Sequence, residues 1–251
     1  MTSLTPSNVL ETANTSKETR RVADQILATL QNHHFSDTSL SLLVDILLKH
    51  ALSGPSHSAA IATLCAQLKT NIRWHATASQ SAAFLMMLSA RVGAGFYRDW
   101  ETTSKVLESW TTLLAELFIH GVVSIYNVWH AALHVARCFD SPSQLTAVVV
   151  ALERCKAHQP SEPIFDSCSG LADKVLQRLD ILEIRSGTRL GESRDLYCDV
   201  ISRIRALGTS TNVPEGRGPG TKMPLLEGVM ADLELALEAR EKARAGKSKA
   251  E

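Results

Sequence analysis

The stretch WHAALHVARC, residues 129 to 138, places His130, His134 and Cys138 at i, i+4 and i+8 of a helical pattern. Imidazoles one turn apart, with a thiol beyond them, are zinc-ligating residue types. Two facts stand against a metal centre. Ala131 occupies the position where a metalloprotease helix carries its glutamate. Three ligands along one straight helix also spread over about 12 Å, too far to meet at one ion. We expect a helix face with hydrogen-bonded histidines, and no metal.

Other chemistry is equally thin. RVGAGFY offers Gly93 and Gly95 but no lysine where a phosphate-binding loop needs one, and no strand precedes it. The pair is read as a loosened end to a helix over residues 77–92. No serine sits in a nucleophile elbow, and no cysteine has an adjacent base. No catalytic residue and no cofactor are expected; the chain reads as a non-enzyme.

Recognition chemistry is more promising. Trp74 in TNIRWHA stands between two helical patterns, beside Arg73. Tryptophan and arginine dominate binding hot spots, which makes this pair a candidate partner anchor; a tryptophan folded over a helix end is the plainer alternative. Trp100 and Trp110 fall on one side of a helix expected from about Glu101, with Trp110 in the core. For RNA, the candidate cations are Arg185, Arg189, Arg194, Arg203 and Arg205, diluted by Glu183, Glu192, Asp195 and Asp199. Phosphate affinity scales with the number of such contacts, so only weak RNA contact is expected.

The elements that would position these residues are helices. Val22, Ala23, Ile26, Leu27 and Leu30 recur every three or four residues, the mark of one buried helical face. Thr15 with Glu18 has the form of a capping box that would start this helix. Ser36 to Ser39 can cap a second helix, and Gly54-Pro55 ends it and begins a third. Further starts are expected near Thr77, Glu101, Ser124, Ser141-Pro142, Glu162-Pro163 and Leu190. In LLAELFIHGVVS, residues 113 to 124, Gly121 fits the left-handed residue that closes a helix, and Ser124 caps the next. Short turns make consecutive helices antiparallel, with about 40 residues per pair, as in helical-hairpin solenoids.

After Leu207 the composition shifts. GTSTNVPEGRGPGTKMP holds four glycines and three prolines, and residues 208–224 read as a flexible linker. An amphipathic helix with a basic tail is expected over 225–251, folding back on the domain through Leu226, Val229, Met230, Leu233 and Leu237. Residues 1–16 read as a flexible N-terminus.

Composition narrows the class. The 26 Lys+Arg balance 26 Asp+Glu, so net charge by itself implies no polyanionic partner. Aromatic content of 5% disfavours strand. Five cysteines, odd in number and widely spaced, read as free thiols of a reducing compartment. The opening residues do not read as a signal peptide, and no apolar run approaches the ~20 residues of a membrane span. Cytoplasm is expected, with the nucleus as the alternative, and no membrane partner.

Three stretches then resemble the middle domain of translation initiation factor 4G. LLVDILLKHALSGPSHSAAIATLCAQL, residues 42 to 68, ends in Ala62-Thr63-Leu64-Cys65-Ala66-Gln67-Leu68, similar to the family's Ala-x-Leu-Cys-x-x-Leu. AAFLMMLSARVGAGFY, residues 82 to 97, is similar to the family's long third-repeat helix. LLAELFIHGVVS matches Phe-Ile-Gly-Glu-Leu-Phe-x-x-Gly-x-x-Ser through Glu116, Leu117, Phe118, Gly121 and Ser124. DILEIRS, residues 180 to 186, is a weaker match to Asp-Val-Ile-Asp-Leu-Arg.

The resemblance implies an all-α chain, an α-α superhelix forming a HEAT-like solenoid of about five antiparallel helix pairs over residues 17–207, in a short single-domain relative. It also implies a non-enzymatic adaptor in mRNA translation or its regulation. Such an adaptor docks a DEAD-box RNA helicase of the initiation factor 4A type, or another translation factor. Where the family has Arg-x-Arg-Phe for helicase docking, this chain reads Asp173-Lys174-Val175-Leu176, which leaves Lys174, Arg178 and Arg185 as the candidate docking residues. A helical protein-binding module in mRNA decay or export is the alternative. The oligomeric state is not legible.

Overall fold

The computed structural model describes residues 6–186, 193–209 and 224–247. Ten α-helices account for the regular structure of these residues: α1 (Pro6–Asn32), α2 (Asp37–Ala51), α3 (Pro55–His75), α4 (Ala78–Asp99), α5 (Ser104–Ile119), α6 (Ile125–Cys138), α7 (Pro142–His158), α8 (Cys168–Ser186), α9 (Ser193–Thr209) and α10 (Pro224–Lys247). A short 3-10 helix, Pro163–Ser167, precedes α8. The fold is all-α, as expected. Nine α-helices rather than about ten lie up to Thr209 among the described residues, and α10 is the tenth. No helix among these residues is long and apolar enough to cross a membrane.

The helix starts follow from their caps. The Ser36 hydroxyl accepts from the Ser39 N–H at 3.3 Å and opens α2. Thr77 and Gln80 form a reciprocal box before α4. The Thr77 Oγ1 accepts from the Gln80 N–H at 3.3 Å, and the Gln80 Oε1 accepts from the Thr77 N–H at 2.9 Å. Thr103 caps α5 through the Val106 N–H, and Ser124 caps α6 through the Tyr126 N–H. Between α5 and α6, Gly121 takes φ +65°, the left-handed turn that a Cβ would strain.

Three expected boundaries are corrected. Helix α1 reaches back at least to Pro6, so residues 6–16 are helical and the Thr15–Glu18 box lies inside a helix. Nothing between Pro6 and Asn32 breaks a helix, and proline is well suited to a first turn. Helix α4 does not loosen after residue 92 but continues through Gly93 and Gly95 to Asp99. Trp100 therefore lies beyond α4 and before α5, not on the helix of Trp110, although both are buried.

The chain forms two compact units rather than the single domain expected over 17–207. The boundary falls between Val92 and Gly93, inside α4. In the first unit α3 packs on both α1 and α2, and α10 lies against α1 and α2. Val22, Ile26 and Leu30 of α1, Leu40, Leu43 and Leu47 of α2, and Ile61, Leu64 and Leu68 of α3 are its buried apolar faces. Each such side chain withdrawn from water contributes about 1.5–3 kcal/mol before chain entropy is counted. Helix α10 is thus part of this unit. It folds back as expected, burying Leu226, Val229, Met230, Leu233 and Leu237. The expected linker lies outside the described residues except at its ends, 208, 209 and 224.

In the second unit α5 packs on α7 and α7 on α9, while α6 packs on α8 and on α7. Contacts between neighbours and next-neighbours are the scheme of stacked helix pairs. Trp110, Leu113, Leu114, Leu117 and Phe118 line its core from α5. The Cys155 thiol, inside that core, is pushed up to about 12 by burial, as is Cys65 of the first unit. Both behave as small hydrophobes.

Candidate partner-docking surface

Helix α3 ends in a sharp change of direction that leaves its last turn bare. Its apolar stripe runs Ile61, Leu64, Leu68, Ile72, and the stripe stops there because Ala76 turns extended, with its N–H still bonded to the Ile72 carbonyl. Trp74 lies two residues past Ile72, about 200° round the axis, and so faces away from the core. Trp74 is 79% exposed, with Arg73 and His75 exposed on either side. It sits in the last helical turn rather than in the loop expected from the sequence. The turn is well held: the Asn71 amide donates to Asp24 of α1 at 3.1 Å, and Gln80 donates to the His34 carbonyl at 3.2 Å. A large, rigid, amphipathic side chain on a fixed backbone loses little freedom when a partner covers it.

A second apolar strip was not legible in advance. Ala82, Met86 and Ala90 recur one turn apart on α4, all exposed, and Met86 is 72% exposed. The signal was present as a neutral i, i+4, i+8 row, but in a helix hydrophobic on several sides the exposed row cannot be told from the buried one.

The cations fare differently from expectation. Arg178 on α8 is committed inward. Its Nε donates to the Phe139 carbonyl at 3.1 Å, and its Nη2 donates to the Cys138 carbonyl at 3.3 Å and to Asp140 at 2.6 Å. It thereby closes the C-terminus of α6, where the last carbonyls lack helical partners and the helix dipole favours a cation. With only 15% of its side chain exposed, Arg178 is not the docking residue expected. Arg203 on α9 is likewise taken: it forms a two-pronged pair with Glu153 of α7, at 2.8 and 2.7 Å. That pair removes Arg203 from the expected RNA patch.

What remains of that patch is small. Arg194 and Arg205 are exposed on α9, eleven residues apart and so near one face, about 16 Å from one another along the axis. Asp195 and Asp199 are exposed on the same helix. The side chain of Arg185 and the whole of Arg189 lie outside the described residues. Lys174 is half-buried on α8.

Two buried charges escaped the sequence. Glu116, inside LLAELF, is 7% exposed and pairs with Arg154 of α7. Lys156, 5% exposed, donates to the Leu207 carbonyl at the end of α9 and stands 5.4 Å above the Phe165 ring. Both pairings tie helices together, and their partners lie 38 and 51 residues away in the chain.

The histidines of α6 part company. His130 is exposed, whereas His134 packs edge-on against Tyr97 and Trp100, with ring centroids 4.8 and 5.2 Å away. Burial lowers the His134 pKa, an effect the Arg137 charge adds to and Glu101 opposes. Among the described residues no three His, Cys, Asp or Glu side chains cluster closely enough to hold a metal ion. Trp74 and Arg73 form an exposed aromatic-cationic pair in the last turn of α3. No family model, no curated protein and no solved structure matches this chain.

Proposed function

We propose that the chain is a non-enzymatic helical adaptor in mRNA translation or its regulation. In this proposal it docks a DEAD-box RNA helicase, or another translation factor, through Trp74 and Arg73 in the cytoplasm. The observation that carries the adaptor role is the exposure of Trp74 on a helix end pinned by Asn71 and Gln80. An aromatic side chain that large, left in water on a rigid support, has the form of a hot-spot anchor. The translation context is supported by the likeness of residues 42–68, 82–97 and 113–124 to the middle domain of initiation factor 4G. Arg194 and Arg205 supply a weak RNA contact at most.

Binding of a purified DEAD-box helicase core to the full chain, measured by calorimetry, tests this. Trp74→Ala and Arg73→Ala should each weaken it, Trp74→Ala by about 30-fold or more, the roughly 2 kcal/mol of a hot-spot truncation. Affinity purification from cell extract widens the search. Recovery of no helicase, initiation factor or mRNA-binding protein overturns the translation reading, and Trp74-dependent recovery of decay or export factors replaces it.

A further inference from the structure

Helix α1 closes on a residue that its backbone does not favour. The Phe35 N–H donates to the Leu30 carbonyl at 3.0 Å, and the His34 N–H to the Gln31 carbonyl at 3.0 Å. In this paired closure glycine usually holds the left-handed place. Here His34 holds it, at φ +56°, and Phe35 follows at φ +47°. Phe35 has a packing reason to be there, being only 6% exposed. His34 has none: its side chain is exposed and has no hydrogen-bond or ion-pair partner among the described residues. A side chain kept in a strained conformation without a fold contact points to use by the surface.

That turn lies beside the Trp74 end of α3. One side-chain amide touches both: Gln80 donates to the His34 carbonyl at 3.2 Å and accepts from the Thr77 N–H at 2.9 Å, three residues past Trp74. Arg73 and His75, exposed on either side of Trp74, also have no hydrogen-bond or ion-pair partner among the described residues. Of the carboxylates nearby in the chain, Asp24 accepts from Asn71, and Asp37 is exposed in the first turn of α2. An exposed indole is thus accompanied by one guanidinium and two imidazoles with unused N–H groups. The indole calls for an apolar contact, a guanidinium takes a carboxylate in a two-pronged pair, and an imidazole N–H can donate to another. One guanidinium is too few for an RNA backbone, whose affinity grows with the number of phosphate contacts.

We propose that the Trp74 surface extends across the α1–α2 turn to His34 and takes an acidic peptide segment of a partner protein. An apolar side chain of that segment covers Trp74, and its carboxylates meet Arg73, His75 and His34. The proposal rests on the reading of Trp74 as a docking anchor, and adds the chemistry of what docks there.

Random peptides displayed on phage and selected on the immobilised full chain test it, those that also bind Trp74→Ala being discarded. The retained peptides should be rich in aspartate and glutamate beside an aromatic or large aliphatic residue. One of them, synthesised with glutamine and asparagine in place of its acids, should bind at least about tenfold more weakly, as should the acidic form to Arg73→Glu. His34→Gly should weaken the acidic peptide about fivefold. Its melting temperature should hold or rise, because glycine takes φ +56° without strain. Neutral or basic retained peptides, or none that depends on Trp74, overturn the proposal. So does Trp74-dependent binding of single-stranded RNA without any acidic peptide. Unchanged affinity on His34→Gly, or lost affinity together with a lowered melting temperature, removes His34 from the surface and overturns it as well. The helicase core separates this from the adaptor role. A core that fails to bind while acidic peptides bind through Trp74 ends the translation reading and leaves this one standing. A core that binds through Trp74 but is indifferent to His34→Gly does the reverse.

Discussion

Ile72 and Trp74 stand two residues apart on α3 and on opposite sides of it: Ile72 has none of its surface exposed, Trp74 has 79%. The two residues separate folding from recognition on a single helical turn. Truncating Ile72 to alanine should cost about 2–5 kcal/mol, the range for emptying a buried aliphatic site. Trp74→Ala should change stability by less than about 0.5 kcal/mol, as for surface positions that hold nothing in place. Urea unfolding of the two variants checks the contrast, and a large loss at Trp74 would make it a packing residue.

Gly95 is expected to tolerate nothing larger. A Cβ at this position would lie 2.5 Å from the edge of the buried Trp110 ring. Gly95→Ala should therefore destabilise by about 1–3 kcal/mol through overpacking, despite alanine's better helix propensity. The double variant Gly95→Ala/Trp110→Phe should recover part of the loss relative to additivity, a coupling readable from a double-mutant cycle.

Arg178 and Lys174 were paired by sequence as docking residues and should separate on measurement. Arg178→Ala strips two carbonyls at the end of α6 of their charged donor and leaves Asp140 without its partner, a loss of about 2 kcal/mol. Lys174→Ala should be near neutral in thermal melts. If Arg178→Ala leaves stability untouched, the inward commitment of its guanidinium is wrong.

Acid should weaken the second unit through His134. Its folded pKa lies below the ordinary value of 6.5, chiefly through burial, so the unfolded chain takes up the proton first. Stability is then fully present above about pH 6.5 and is lost progressively as pH falls toward the folded value. The melting temperature should drop between pH 7 and pH 5, and His134→Phe should flatten part of that slope. Equal slopes in both proteins would show that the ring of His134 is solvated.

Much of the fold was legible because its signals are local. Ser36, Thr77, Ser124 and Ser141 announce helix starts within three residues of themselves, and the Gly121 turn closes α5 where LLAELFIHGVVS places it. What failed was written across long separations. Gly95 resembles a helix breaker until Trp110 is seen to need its empty side. Arg178 and Arg203 resemble surface cations until the α6 carbonyls and Glu153 come to meet them. The unit boundary within α4 falls at the Gly93 and Gly95 pair, but the helix runs unbroken through both, so the pair reads as a loosened helix end and not as a boundary between units. The exposure of Trp74 was legible, but its helical support was not, because a tryptophan next to a stop signal reads equally well as loop.

The return of α10 to α1 and α2 also fixes an order of assembly. On a ribosome the N-terminal end of the chain emerges first, and domains tend to close as soon as their residues are available. Here the second unit is complete once α9 has been made, whereas the first must keep the seat for Leu226, Val229, Leu233 and Leu237 open until the final helix is released. Of the two units, the one whose chain starts earlier is therefore the later to be finished.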